Sequence, residues 1–158
     1  MTTVVQASDA DAVAQARELF CEYAAESQLD LCFQNFETEL AGLPGAYAPP
    51  GGRLLLALYE GQLAGCVALR KFEDAICEMK RLFVRPAFRG QGIGRVLAGS
   101  VIEEARAVGY STMRLDTLAR MRVAIALYES LGFHRIEAYR PNPLEDAVYM
   151  ELPLTPNL

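Results

Sequence analysis

With 158 residues, of which 52% are hydrophobic and 22% charged, the chain has the length and composition of one globular domain spanning residues 1–158. Its net charge of −5 argues against a nucleic-acid partner, and it has no run of about 18 apolar residues that would predict a membrane span. Its four cysteines have no metal-site spacing and it has one histidine, so we expect a reduced, cytoplasmic protein with no metal and no signal peptide.

The first half of the chain predicts a strand, two helices and a three-strand meander. β-Branched residues at 2–7 predict the first strand, and apolar residues at helical spacing predict a helix over roughly 9–26. A second, short helix is expected within 33–42, before a breaker-rich loop at 42–52. The meander strands are predicted at 53–59, 63–70 and 75–84.

The second half predicts two helices and three further strands. The helices are expected over about 92–108 and 120–131, each followed by a glycine that can end it. The strands are predicted at 111–117, 134–139 and 147–152. The order β-α-α-β-β-β-α-β-α-β-β predicts an α+β domain with a mixed sheet of about seven strands.

The segment VRPAFRGQGIGRVL, residues 84–97, joins a strand to a helix and contains three glycines at alternate positions. A tight turn alone does not require glycine at three such positions. Glycine allows a phosphate to approach the backbone, and a helix N-terminus presents unpaired N–H groups. The segment therefore predicts a pyrophosphate-binding loop flanked by Arg89 and Arg95, the alternative being a tight connection with surface arginines.

Two common phosphate-binding motifs do not fit this loop. A P-loop needs Lys and then Ser or Thr after its last glycine, whereas Arg95 and Val96 follow here. The dinucleotide-binding fingerprint needs a third glycine three residues after the second, and Arg95 or Leu97 occupies that place.

The sequence R-G-Q-G-I-G instead resembles the acetyl-CoA pyrophosphate loop of the GNAT superfamily of N-acetyltransferases. Arg89, Gly92 and Gly94 occupy its fixed positions, and AIALYESLGF, residues 124–133, resembles the second signature of the family. The element order matches as well, so the resemblance covers most of the chain and implies the GNAT fold with acetyl-CoA as co-substrate. One departure is Met121, where many relatives carry Asn.

The resemblance also implies which residues bind the coenzyme. The glycine loop would hold the pyrophosphate, and the end of the fourth strand would pair with the pantetheine amides and donate a backbone N–H to the thioester oxygen. Thr117 ends a strand near the expected site. The implied coenzyme-binding residues are Leu82, Phe83, Val84, Arg89, Gly90, Gln91, Gly92, Ile93, Gly94, Arg95 and Thr117.

Two side chains are candidates for the chemistry. By resemblance, Tyr128 lies near the coenzyme sulfur and acts as the acid; its spacing alone also fits an ordinary core stripe. Glu78 lies eleven residues before Arg89 and is the candidate for the base, because some superfamily members carry a glutamate at the equivalent place. The alternatives are an ion pair of Glu78 with Lys80 or Arg81, and a water molecule as the base.

Several other polar residues are expected near the acceptor. Asp116 and Thr117 either contact acceptor or cofactor or cap the following helix. The loop residues that can shape the acceptor pocket are Tyr47, Tyr139, Arg140 and Asn142. His134 is expected at the surface or a sheet edge.

Together these features predict an N-acetyltransferase in which a small-molecule amine attacks acetyl-CoA directly in a ternary complex. A covalent cysteine intermediate is the alternative mechanism. The alternative functions are a non-catalytic acyl-CoA sensor or interaction module, and transfer from another acyl-CoA or to an O-linked acceptor. No nucleic-acid or membrane partner is expected, and a homodimer is left open.

Overall fold

The computed structural model describes residues 1–27, 35–142 and 144–154. Within them, strands and helices follow the predicted order and confirm the α+β class with a mixed sheet. The strands are β1 Thr2–Gln6, β2 Arg53–Tyr59, β3 Gln62–Glu73, β4 Ile76–Val84, β5 Thr112–Leu118, β6 His134–Ile136 and β7 Ala147–Pro153. The helices are α1 Ala10–Ser27, α2 Phe36–Ala41, α3 Ile93–Val108 and α4 Arg122–Ser130.

The sheet has the strand order β1-β2-β3-β4-β5-β7-β6. Its neighbouring strands are antiparallel except for β4 and β5, which are parallel. Within the described residues, β4 and β5 pair only through Ile76–Glu78 and Thr112–Arg114. Beyond these residues the two strands separate, and this separation opens a cleft in the middle of the sheet.

Each face of the sheet is covered by a separate hydrophobic core. On one face α3 presents a buried stripe at helical spacing that includes Leu97 and Val101 and joins a cluster with Met113 of β5. On the other face α1 buries Leu19 and Phe20 against the meander. α3 therefore covers β4 and β5 on one face of the sheet, and α1 covers β4 on the other.

One residue of β4 interrupts the alternation of its side chains. Arg81 has a φ of 60°, and the register with β3 shifts at this point, between Cys66 and Ala68. The extra residue is a β-bulge, which redirects the side chains that follow. As a result Phe83 packs in the core beneath α1, whereas Leu82 packs against the opposite core.

The ends of two strands differ from the prediction. β3 continues to Glu73 rather than 70, and β6 ends at Ile136 rather than 139. β6 is short because the chain leaves the sheet there and carries Tyr139 and Arg140 to hydrogen bonds with Glu78. The first residues predicted for the second helix, 33 and 34, lie outside the described residues. In the part of the chain that is described, no helix is long and apolar enough to cross a membrane.

Candidate active site

The glycine loop between β4 and α3 combines an unusual backbone with open space. Gly90 and Gly92 have φ values of 83° and 78°, in the left-handed region that favours glycine. A Cβ placed on either residue would find no described atom within 4 Å. Gly92 is the N-cap of α3 and, because glycine has no side chain, it makes no side-chain capping hydrogen bond. The first turn of α3 thus offers backbone N–H groups to an anion in this space.

The remaining predicted loop residues have distinct settings. Gly94 lies inside α3, and a Cβ there would lie 3.7 Å from Leu127 Cδ2, an ordinary contact. Ile93 is buried in the core, so only its backbone is available to a ligand. Gln91 Oε1 accepts a hydrogen bond of 3.3 Å from the Tyr59 hydroxyl.

The two predicted phosphate-binding arginines lie on opposite sides of the loop and each has a protein partner. Arg89 donates from Nε to the Val84 carbonyl at 3.0 Å and forms an ion pair with Glu26 of α1. Arg95 donates to Ser130 Oγ at 2.9 Å. Arg89 is about half exposed, so its ion pair is open to competition from an anionic ligand.

The cleft between the diverging ends of β4 and β5 brings together several predicted residues. Leu82, Thr117 and Tyr128 line it, and Thr117 Oγ1 donates to Met121 Sδ at 3.4 Å. The other lining residues include Tyr23, Lys80, Arg81, Asp116, Asn142 and Leu144. Phe83 does not line the cleft; its ring packs edge-on against Tyr23 at 6.1 Å between centroids.

Tyr128 projects from α4 into this cleft and is 7% exposed. Its ring lies 5.7 Å from that of Phe133, centroid to centroid. Burial, reinforced by the charge of Asp116, raises the pKa of the Tyr128 phenol above its ordinary value of 10. The hydroxyl is therefore protonated throughout the neutral range and is a hydrogen-bond donor there.

Glu78, the predicted base, lies within a cluster of cations. Its side chain is fully buried, and its carboxylate accepts hydrogen bonds from Arg70 Nε at 2.9 Å, from the Tyr139 hydroxyl at 2.7 Å and from Arg140. Burial alone would raise its pKa, but Lys80, Arg140 and Arg70 outweigh burial and lower the pKa to about 2. A carboxylate so placed has little tendency to accept a proton at neutral pH, which favours the ion-pair alternative.

The two predicted ion-pair partners of Glu78 behave differently. Lys80 Nζ lies 4.0 Å from Glu78 Oε1 and 3.9 Å from Asp116 Oδ1. Burial lowers the pKa of Lys80 to about 8, although the charge of Glu78 opposes this effect. Arg81 instead pairs with Glu39 of α2, at 3.0 Å.

Sequence reasoning missed the contribution of α1 to the cleft. Tyr23 belongs to the apolar stripe of that helix, and it lines the cleft as well as packing against the core. No local pattern distinguishes such a residue, because its neighbours in space come from β4 and β5. Of the predicted acceptor-loop residues, Asn142 lines the cleft, whereas Tyr47 is buried and donates to Glu39.

The site therefore combines an anion-binding helix end with an adjoining cleft that contains an amine, a phenol and a carboxylate. Between the helix end and the cleft, one stretch of β4 is not paired with β5. The backbone of this β4 stretch can pair with an extended ligand. Such an arrangement can bind a long phosphate-bearing molecule and hold its other end beside a second, smaller molecule.

Comparison with known proteins agrees with this geometry. The model of the acetyltransferase (GNAT) family matches residues 13–133. An N-acetyltransferase of Schizosaccharomyces pombe, itself uncharacterized, is 44% identical over 136 residues, covering 85% of this chain and 83% of the relative.

Two solved structures share the fold over nearly the whole chain. A putative acyl-CoA N-acyltransferase from Klebsiella pneumoniae is 30% identical, with a TM-score of 0.71, and the match covers 98% of this chain and 97% of that one. A GNAT-family acetyltransferase from Staphylococcus aureus is 18% identical, with a TM-score of 0.80 and coverage of 98% and 100%.

Proposed function

The chain belongs to the acetyltransferase (GNAT) family, and from this we propose that it transfers the acetyl group of acetyl-CoA to a primary amine of a small-molecule acceptor. Acetyl-CoA would supply the acetyl group as an activated thioester. The observation that carries the proposal is the glycine loop, whose Gly90 and Gly92 leave open space at the N-terminus of α3.

The coenzyme would be held along one continuous path. The loop and the first turn of α3 would bind the pyrophosphate, with Arg89 and Arg95 beside it. The end of β4, Leu82–Val84, would pair with the pantetheine amides through its backbone, since this stretch is not paired with β5. The path leads into the cleft, where Thr117 and Tyr128 line the wall.

The settings of the described cysteines favour direct attack by the amine over a covalent cysteine intermediate. Cys66 and Cys77 are fully buried, and burial raises the pKa of Cys77 to about 12 and that of Cys66 further. Such thiols are poor nucleophiles because the reactive form is the thiolate. Among the described residues, Cys21 is exposed but does not line the cleft. Among the described cysteines, a covalent intermediate is therefore disfavoured.

Tyr128 would assist the departing sulfur as a hydrogen-bond donor. A free thiol has a pKa near ~8.5, whereas burial raises that of the Tyr128 phenol above 10. Complete proton transfer from this phenol to a thiolate would therefore be unfavourable. Tyr128 stabilises the developing charge while keeping its proton at the phenol oxygen.

Release of free thiol from acetyl-CoA, followed across a panel of primary amines, tests the proposal. We expect thiol release that depends on one class of amine and yields the N-acetylated product by mass spectrometry. Initial rates with both substrates varied should give intersecting double-reciprocal lines, as direct attack in a ternary complex requires. Parallel lines would instead indicate a covalent intermediate, and thiol release without an acetylated amine would contradict the proposal.

A further inference from the structure

Asp116 lines the cleft, and one of its carboxylate oxygens receives no hydrogen bond from the described part of the chain. Its side chain is 8% exposed, and Oδ1 lies 3.9 Å from Lys80 Nζ. The other oxygen, Oδ2, is buried and receives no hydrogen bond from the residues that the structure describes. Burying a carboxylate oxygen without a donor is costly. A carboxylate with an unsatisfied oxygen on the wall of a cleft indicates that a ligand supplies the hydrogen-bond donor.

The position of Asp116 matches that of an acceptor rather than that of the coenzyme phosphates. It lies on β5 in the same cleft as Tyr128, and its charge is one of the causes that raise the pKa of that phenol, after burial. Asn142, from the loop before β7, also lines this cleft. Asp116 thus shares the cleft with the group proposed to contact the sulfur, whereas residues 89–95 of the glycine loop do not line that cleft. A carboxylate would repel phosphates in any case.

The chemistry of the cleft indicates the class of ligand. A buried carboxylate oxygen calls for an N–H or O–H donor, and a primary ammonium offers three donors and the opposite charge. Among the described residues, the other charged side chains that line the cleft are the cations Lys80 and Arg81. A second positive charge on the ligand would therefore be repelled.

We propose that Asp116 binds the ammonium group of the acceptor through its carboxylate, and that this contact selects primary amines with one positive charge over polyamines. The inference concerns the binding step and rests on the proposed acetyl transfer. It gives Asp116 a role distinct from neutralising Lys80, which Oδ1 already approaches.

Kinetics of Asp116→Asn test this role, with Glu145→Gln as the control because that exposed residue carries the same charge outside the cleft. Asp116→Asn should raise the KM for the acceptor about ten- to a hundredfold, the loss expected for a charged hydrogen bond. The KM for acetyl-CoA should stay the same, and the control should match wild type. A purely structural Asp116 would give a lower melting temperature without this split between the two KM values.

A binding measurement on the wild-type protein does not depend on the variant's folding or on activity. Carbon NMR of the assigned aspartate carboxyl groups is followed during titration with n-butylamine, which is protonated at neutral pH, and with n-butanol. The Asp116 signal should move saturably with the amine and stay in place with the alcohol.

An unmoved Asp116 signal, or an unchanged acceptor KM in Asp116→Asn, would overturn the inference. Greater transfer to a polyamine than to its monoamine analogue would overturn the charge selectivity. Absence of transfer to every amine, together with a signal that moves with butylamine, would refute the proposed acetyl transfer and leave the ammonium site standing.

Discussion

Tyr128 occupies a core position that also borders the cleft. The residue is buried against Phe133, as its spacing in α4 suggests, and yet it lines the cleft between β4 and β5. Because burial raises the pKa of its phenol, Tyr128 can donate a hydrogen bond to a ligand without losing its proton.

Tyr128→Phe removes this donor and keeps the ring. Turnover should fall roughly ten- to a thousandfold, the range for loss of such a group, while the affinity for acetyl-CoA stays near that of wild type. The measurement is kcat and the acetyl-CoA KM for each protein. Tyr110→Phe is the matched control, since it removes a buried hydroxyl that bonds to the Gly51 carbonyl outside the cleft. Equal turnover in wild type and Tyr128→Phe would assign Tyr128 to the core alone.

At the scale of elements, Glu78 ties three segments together. Its carboxylate joins β4 to Arg70 of β3 and to Tyr139 and Arg140, which follow β6. The chain then continues from Arg140 to Asn142, which lines the cleft. We therefore expect Glu78 to position this side of the cleft, and its role as the base remains a prediction.

Glu78→Gln separates the positioning role from that of a base. The folded-state pKa of about 2 lies below the ordinary value of 4.5, so the ionised carboxylate adds stability above about pH 4.5 that is lost as the pH falls toward 2. We expect the variant to lose about 3–5 kcal/mol at neutral pH, as for breaking a buried ion pair. The deficit relative to wild type should shrink toward pH 2, and the pH profile of kcat/KM should keep its shape.

The measurements are urea unfolding across this pH range and kcat/KM against pH. Glu151→Gln is the control, because it breaks the half-buried ion pair with Arg114 on the neighbouring strands. If Glu78→Gln keeps its stability and regains activity as the pH rises to ~10, where the free amine forms in solution, Glu78 is the base.

At the scale of the whole molecule, the sequence predicted what local patterns determine. Hydrophobic periodicity located the helices, and the alternate glycines located the loop at the N-terminus of α3, because both signals lie within a few residues. The surroundings of Glu78 could not be predicted, since its hydrogen-bond partners come from two distant segments, β3 and the chain after β6. The bulge at Arg81, which redirects the end of β4, could not be predicted either. Arg81 has a positive φ, and glycine rather than arginine is the residue expected in that conformation.

The central claim is that the glycine loop at the start of α3 binds acetyl-CoA. Calorimetric titration of acetyl-CoA into wild type, Gly92→Ala and Gly61→Ala tests it most directly. Gly61, in the β2–β3 turn, has a φ of 80° and equally open surroundings. Both substitutions should therefore lower the free energy of unfolding by a similar amount, about 1–2 kcal/mol, because alanine is strained in the left-handed conformation. We predict that wild type and Gly61→Ala bind alike and that Gly92→Ala binds at least about tenfold more weakly, because its methyl group enters the space for the pyrophosphate. Equal binding by the two variants, or no binding by wild type, would contradict the account.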